Sequence, residues 1–227
     1  MNQGVASAAA SAFLLLAAGG ASAATGFRFH VPDGWVDLSP GAPADNFDQV
    51  PGEAARLARS HKFVALAYDM AGRSGRFATN LNVDVQQAVL PISERKLAKI
   101  QAEYERATAT GGYPVHVVDA SIRNIQGVPA ARLVSDVRMM GSELRQVVYL
   151  IPGYKETAAM TFTTERSRFD QYIAIFDATA ERTEGVRAPP PMLLGFDLRE
   201  MLRAGLIGGL IGGCVAFVRG LIRRKAA

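Results

Sequence analysis

The chain has 227 residues, with 25 Lys and Arg against 21 Asp and Glu, and a single cysteine, Cys214. One cysteine excludes an intrachain disulfide and a thiolate cluster for zinc or iron. The net charge of +4 is carried by Arg219, Arg223, Arg224 and Lys225 near the C-terminus, so the rest is neutral and the basicity argues for a membrane rather than a nucleic acid.

Read from the front, residues 1–23 form a leader. A short apolar run is centred on Phe13, Leu14, Leu15 and Leu16, and Ala21-Ser22-Ala23 gives a small-x-small cleavage site. The segment before it has no Lys or Arg, and at this length it is short for a span. A globular domain over residues 24–187 follows, large enough to hold a core without disulfides. Alternating polarity predicts strands over residues 27–31, 63–68, 81–85, 115–125, 130–139, 144–151 and 157–163. Turn residues around Gly127 and Gly141 make the second half an antiparallel meander. A helix is predicted from Glu94 to Ala107 and another through Phe169, Ile173, Phe176 and Ala180, opened by a capping box of Ser167 and Asp170. A shorter helical piece is expected over residues 53–59. Strands in runs with few helices predict an α+β fold, with helices laid on an antiparallel sheet.

After the domain, Pro189-Pro190-Pro191 stands in a stiff spacer over residues 188–197. Residues 198–222 read as a juxtamembrane turn and a membrane helix. Ala204 to Ile222 is about 28 Å of helix against a hydrocarbon core of about 30 Å. On its helical wheel Gly205, Gly208, Gly209, Gly212 and Gly213 share one side, opposite the bulky residues, which is the pattern of close helix packing in membranes. The domain-side flank is neutral, whereas the tail over residues 223–227 is basic and is therefore expected in the cytoplasm. The resulting topology is single-pass in a bacterial inner membrane, with the globular domain in the periplasm.

The stretch from Gly26 to Trp35 (GFRFHVPDGW) and the segment from Gln146 through Phe176 resemble the PsbP/DcrB-like superfamily. The resemblance spans about 160 residues and rests on structural motifs. It implies an antiparallel sheet with helices on its faces, in a superfamily of assembly factors, chaperone-like binders and envelope proteins rather than catalysts. No functional residue carries over, and the C-terminal membrane helix departs from the simpler members.

No nucleophile elbow, zinc-protease helix, phosphate loop or dinucleotide fingerprint occurs in the sequence. His30, His61 and His116 are isolated and read as surface or edge histidines, although a triad assembled in space stays open. Asp69, Asp84, Asp119 and Asp136 fall at or near strands and read as members of solvated faces rather than a cation site. Trp35, Tyr68, Tyr149 and Tyr154 read as core aromatics. The expectation is a non-catalytic, membrane-anchored binding or assembly module, with no catalytic, cofactor-binding or metal-ligating residue assigned. A structural subunit recruited through the glycine face is the alternative, and an enzyme the more distant one. Its partners would be the membrane and either a protein or a second copy at the glycine face.

Overall fold

The computed structural model describes residues 26–60, 63–73, 77–110, 114–139 and 141–188. The expected leader, most of the spacer, the membrane helix with its five glycines, the basic tail and His61 lie outside the described residues. Among the described residues no helix is long and apolar enough to cross a membrane.

Seven strands form one antiparallel sheet: β1 (Val36–Asp37), β2 (Ala65–Tyr68), β3 (Asn80–Gln86), β4 (Val115–Ile125), β5 (Val128–Met139), β6 (Ser142–Pro152) and β7 (Thr157–Glu165). Their spatial order is β1-β2-β3-β7-β6-β5-β4. Among the described residues three α-helices accompany them: α1 (Gly52–Ser60), α2 (Glu94–Thr110) and α3 (Phe169–Glu181). The chain leaves β3 through α2 and restarts at the far edge. From there β4 to β7 meander back until β7 closes on β3 over seven pairs, from Asn80–Thr163 to Gln86–Thr157. The β4–β5 turn is Gln126-Gly127, with φ of 50° and 83°. Positive φ at both central positions matches the twist of the flanking strands, and Gly is suited to it.

Because side chains alternate across a strand, the sheet carries two apolar faces. On one face α2 lays Leu97, Ile100, Tyr104 and Ala107 onto Leu133, Val137, Val148 and Leu150, and α1 covers Leu66 and Tyr68. On the other face α3 lays Phe169, Tyr172, Phe176 and Ala180 onto Val147, Tyr149, Met160 and Phe162. Both helices present apolar residues three or four apart, so one stripe of each is buried. β7 is sandwiched by both layers, which is why its eight residues Thr157–Thr164 are all buried. The Pro32–Trp35 turn, closed by Trp35 N–H on the Pro32 carbonyl at 3.1 Å, aims the indole edge-on at Phe162, Tyr172 and Phe176.

Four expectations need correcting. Residues 27–31 do not form a strand of the sheet. Their alternation instead sends Phe27, Phe29 and Val31 into the α3-side core, and only Arg28 makes a bridge, to Glu184. The capping box at Ser167 does not form: residues 166–168 are a 3-10 turn, and α3 starts after Arg168 without a side-chain cap. Tyr154 is 55% exposed, at the tip of the β6–β7 turn, rather than in the core. Of the four aspartates Asp119 is exposed, as expected, whereas Asp69, Asp84 and Asp136 are only partly exposed. The sequence reading also passed over β1 and the 3-10 turn Ala44–Asp48 beside it.

Candidate functional site

Where β7 docks on β3, the α2-side face of the sheet is polar although buried. Asn80 and Asn82 of β3, Thr161 and Thr163 of β7, Gln146 of β6 and Ser135 of β5 are each no more than 3% exposed. Register aligns Asn80, Thr163, Gln146 and Ser135 in one row across four strands. Buried polar groups must be paired, and most of these are. Gln146 Nε2 donates to Thr163 Oγ1 (3.0 Å), and the Tyr104 hydroxyl of α2 donates to Gln146 Oε1 (3.4 Å) and lies 3.4 Å from Ser135 Oγ. Burial pushes the Tyr104 hydroxyl up to about 12, opposed by its Ser135 contact, so it stays a neutral donor.

Two carboxyls of α2, Glu103 and Glu105, stand on either side of Tyr104 in the sequence, and a third, Asp84, lies on β3. Glu105 points toward β4, accepting from Val117 N–H at 2.8 Å. Glu103, two positions back, lies on the opposite flank of the helix from Glu105. Its side chain is 10% exposed, one oxygen lies 3.8 Å from Lys99 Nζ, and the other has no hydrogen-bond partner among the described residues. Asp84 lies four residues along β3 from Asn80, about 13 Å at the strand rise. Burial raises its carboxyl to about 6, against opposing bonds from the Val85 backbone and the Gln86 side chain. Amides, hydroxyls and carboxyls can recognise a hydrogen-bond donor, but they supply neither a nucleophile nor a base beside one.

The opposite face is held by ion pairs. Arg132 of β5, with a side chain only 7% exposed, donates to Asp177 of α3 (3.1 Å) and to Asp119 of β4 (2.9 Å). Tyr149 also donates to Asp177, and burial is the first cause that pushes its hydroxyl above the usual range. Asp136 takes a bidentate pair from Arg145, which holds its carboxyl below the ordinary value. Asp69 accepts from Tyr172 and from the Gly72 amide. These contacts clamp α3 and the 69–72 loop onto the sheet.

The second feature is the outer edge of β4. Val117 N–H points away from β5 and is capped by Glu105, and the register slips between Val117 and Asp119, leaving Val118 as a bulge 45% exposed. Beyond the bulge, Ile125 and Val128 close a two-residue turn and exchange both ladder bonds. Counting back, Arg123, Ser121 and Asp119 bond to β5, whereas the backbones of Asn124, Ile122 and Ala120 face outward. Pro129, opposite Asn124, agrees with this parity because it has no N–H to give. Among the described residues no strand pairs with that edge.

His30 and His116 are both on the surface and pair with different glutamates, Glu184 at 3.3 Å and Glu105 at 3.8 Å. Among the described residues no three of His, Cys, Asp and Glu gather to hold a metal ion. Gly205, Gly208, Gly209, Gly212 and Gly213 lie outside the described residues. Neither the polar row nor the open edge was assigned from sequence. The edge did leave one signal: in residues 115–125 the apolar phase changes from Val115 and Val117 to Val118, Ala120 and Ile122, as a bulge requires.

Neither a family model nor a curated protein matches the sequence. Solved structures do match. Cyanobacterial PsbP (CyanoP) from Synechocystis sp. PCC 6803 is 16% identical, with 71% of this chain and 87% of that chain covered and a TM-score of 0.47. The fold resembles PsbP. LpqN, involved in cell envelope biogenesis of Mycobacterium tuberculosis, is 13% identical over 71% of this chain and 83% of that one, with a TM-score of 0.45. A Pseudomonas aeruginosa protein of unknown function is 15% identical over 53% and 80%, with a TM-score of 0.39. The likeness is one of fold, and at these scores it says nothing of ligand or partner.

Proposed function

We propose that the chain is a membrane-tethered extracytoplasmic assembly module, which takes up a strand of a partner at the outer edge of β4 and carries out no chemistry of its own. The observation that carries this reading is the outward backbone at Ala120, Ile122 and Asn124, next to a bulge that ends the protected half of the strand. An exposed sheet edge offers a ready row of donors and acceptors, and adding a strand is a common way to bind an extended segment. The membrane tether rests on the apolar stretch Ala204–Ile222 and its basic flank.

The test places a photo-crosslinking side chain at Asn124 in the full chain in native membranes, and as a control at Asp45. Both positions are exposed. An adduct is expected at Asn124 alone, and it should disappear when Ala120→Pro removes an outward donor. No adduct at Asn124, or one that survives Ala120→Pro, would overturn the edge as the docking surface.

A further inference from the structure

We propose that the strand received at this edge is β4 of a second copy, the two strands pairing antiparallel about a two-fold axis that passes between their Ser121 residues. The inference rests on reading β4 as an assembly edge and names its occupant. A two-fold pairing must match outward-facing backbones with each other. Centred on Ser121, it sets Ala120 opposite Ile122 of the second copy, and Ile122 opposite Ala120. All four have outward backbones, so both pairs exchange two N–H···O bonds. Ser121 then meets Ser121 in the non-hydrogen-bonded spacing, where side chains come closest. Centring on Ala120 or Ile122 instead would also keep parity, so the side chains must decide.

They favour Ser121. In this register Asp119 stands opposite Arg123 of the second copy, and Arg123 opposite Asp119, each a close pair on the α3-side face. Arg123 is exposed and has no ion pair among the described residues, and Asp119 keeps 53% of its side chain exposed while bound to Arg132. Opposite charges directly across strands are stabilising. Centring on Ala120 would instead put Arg123 opposite Val117, whose outward N–H is already taken by Glu105, and would leave the charge without a partner. Centring on Ile122 would set Arg123 opposite Ser121 and Asp119 opposite Ile125. Ser121 Oγ is also one of the few buried side-chain oxygens without a hydrogen-bond partner among the described residues, and a second Ser121 across the axis can supply one after a rotation of χ1. On the other face Ala120 and Ile122, both only partly buried, would meet the same two residues of the second copy.

Non-hydrogen-bonded partners sit about 4.5 Å apart at Cα, within the reach of a disulfide. With Cys214→Ser in the full chain in native membranes, Ser121→Cys is expected to give a disulfide-linked dimer under mild oxidation. Arg123→Cys, whose two copies would lie four residues or about 13 Å apart, should give at least ten-fold less. Adding Arg123→Glu to the Ser121→Cys chain should lower the yield several-fold, since it sets two carboxylates against each other. Equal yields from Ser121→Cys and Arg123→Cys, or indifference to Arg123→Glu, would overturn the proposal. If Ser121→Cys fails while the photo-crosslinker at Asn124 captures a different protein, self-pairing falls and the assembly module stands. If both fail, both readings fall.

Discussion

The two edges of the sheet are finished differently. β1 is two residues long, and the 3-10 turn Ala44–Asp48 folds back over it, so that Asn46 Nδ2 donates to the outward Asp37 carbonyl at 2.8 Å. Asp37 in turn holds the Ser39 amide with its carboxylate, and the Ser39 hydroxyl takes the Leu66 amide. β4 is eleven residues long and, among the described residues, Glu105 caps Val117 and no strand pairs with the stretch beyond its bulge. Sheets that gain nothing from pairing blunt their edges by short strands, bulges and covering loops. Among the described residues those devices cover β1 and half of β4, and the remaining half has no neighbouring strand.

The sharpest way to break this contrast is to release the β4 side from behind. Asp177→Ala would leave the buried Arg132 with Asp119 alone and Tyr149 without its acceptor. A loss of about 3 kcal/mol is expected in urea unfolding, as for other broken buried pairs, with Asp177→Asn milder because it keeps an acceptor for Tyr149. Midway between the edges, Asp84 should behave in the opposite sense. Its folded value of about 6 lies above the ordinary 3.8, so the native state holds the proton more tightly than the unfolded chain. Its contribution is therefore fully present below pH 4 and is lost as pH rises through 6. Asp84→Asn should stabilise the protein at pH 7 by at most about 3 kcal/mol, at 1.36 kcal/mol per pKa unit, and flatten the slope of stability between pH 4 and 6. Unfolding midpoints at the two pH values check the sign.

At the closed edge, Asn46→Ala orphans the Asp37 carbonyl and is expected to cost about 1 kcal/mol. It should also speed hydrogen exchange in the β1–β2 region. At the open edge, Ala120→Pro removes only an outward N–H and should change stability by less than about 0.5 kcal/mol, while abolishing the Asn124 adduct. A large loss of stability there would show that Ala120 bonds to β5 and that the parity assigned to β4 is wrong.

Much of this fold was legible in the sequence, because β4 to β7 are long runs of strand-forming residues, and short Gly-containing turns force neighbours to be antiparallel. Period two tells which residues share a face but not whether that face is buried. Asp84 of β3 was therefore read as facing solvent, and Asn80 and Asn82 beside it were given no role, although α1 and α2 cover that face. The same limit hid Arg132, whose burial depends on Asp177 arriving from a helix 45 residues later. Phe27 to Val31 misled in the other direction: it alternates like a strand because it lines the core, but among the described residues it has no sheet neighbour beyond the Arg28 bridge. The open edge itself depends on strand order, which local sequence does not encode, and only the phase change at Val118 marked it.

The claim that β4 carries the assembly surface and β1 does not is tested most directly by amide hydrogen exchange on the full chain, compared between native membranes and dilute detergent. In membranes the amides of Ala120 and Ile122 should be slowed at least ten-fold relative to detergent, with Val36 and Asp37 unchanged. Equal exchange at Ala120 and Ile122 in both preparations would contradict the account.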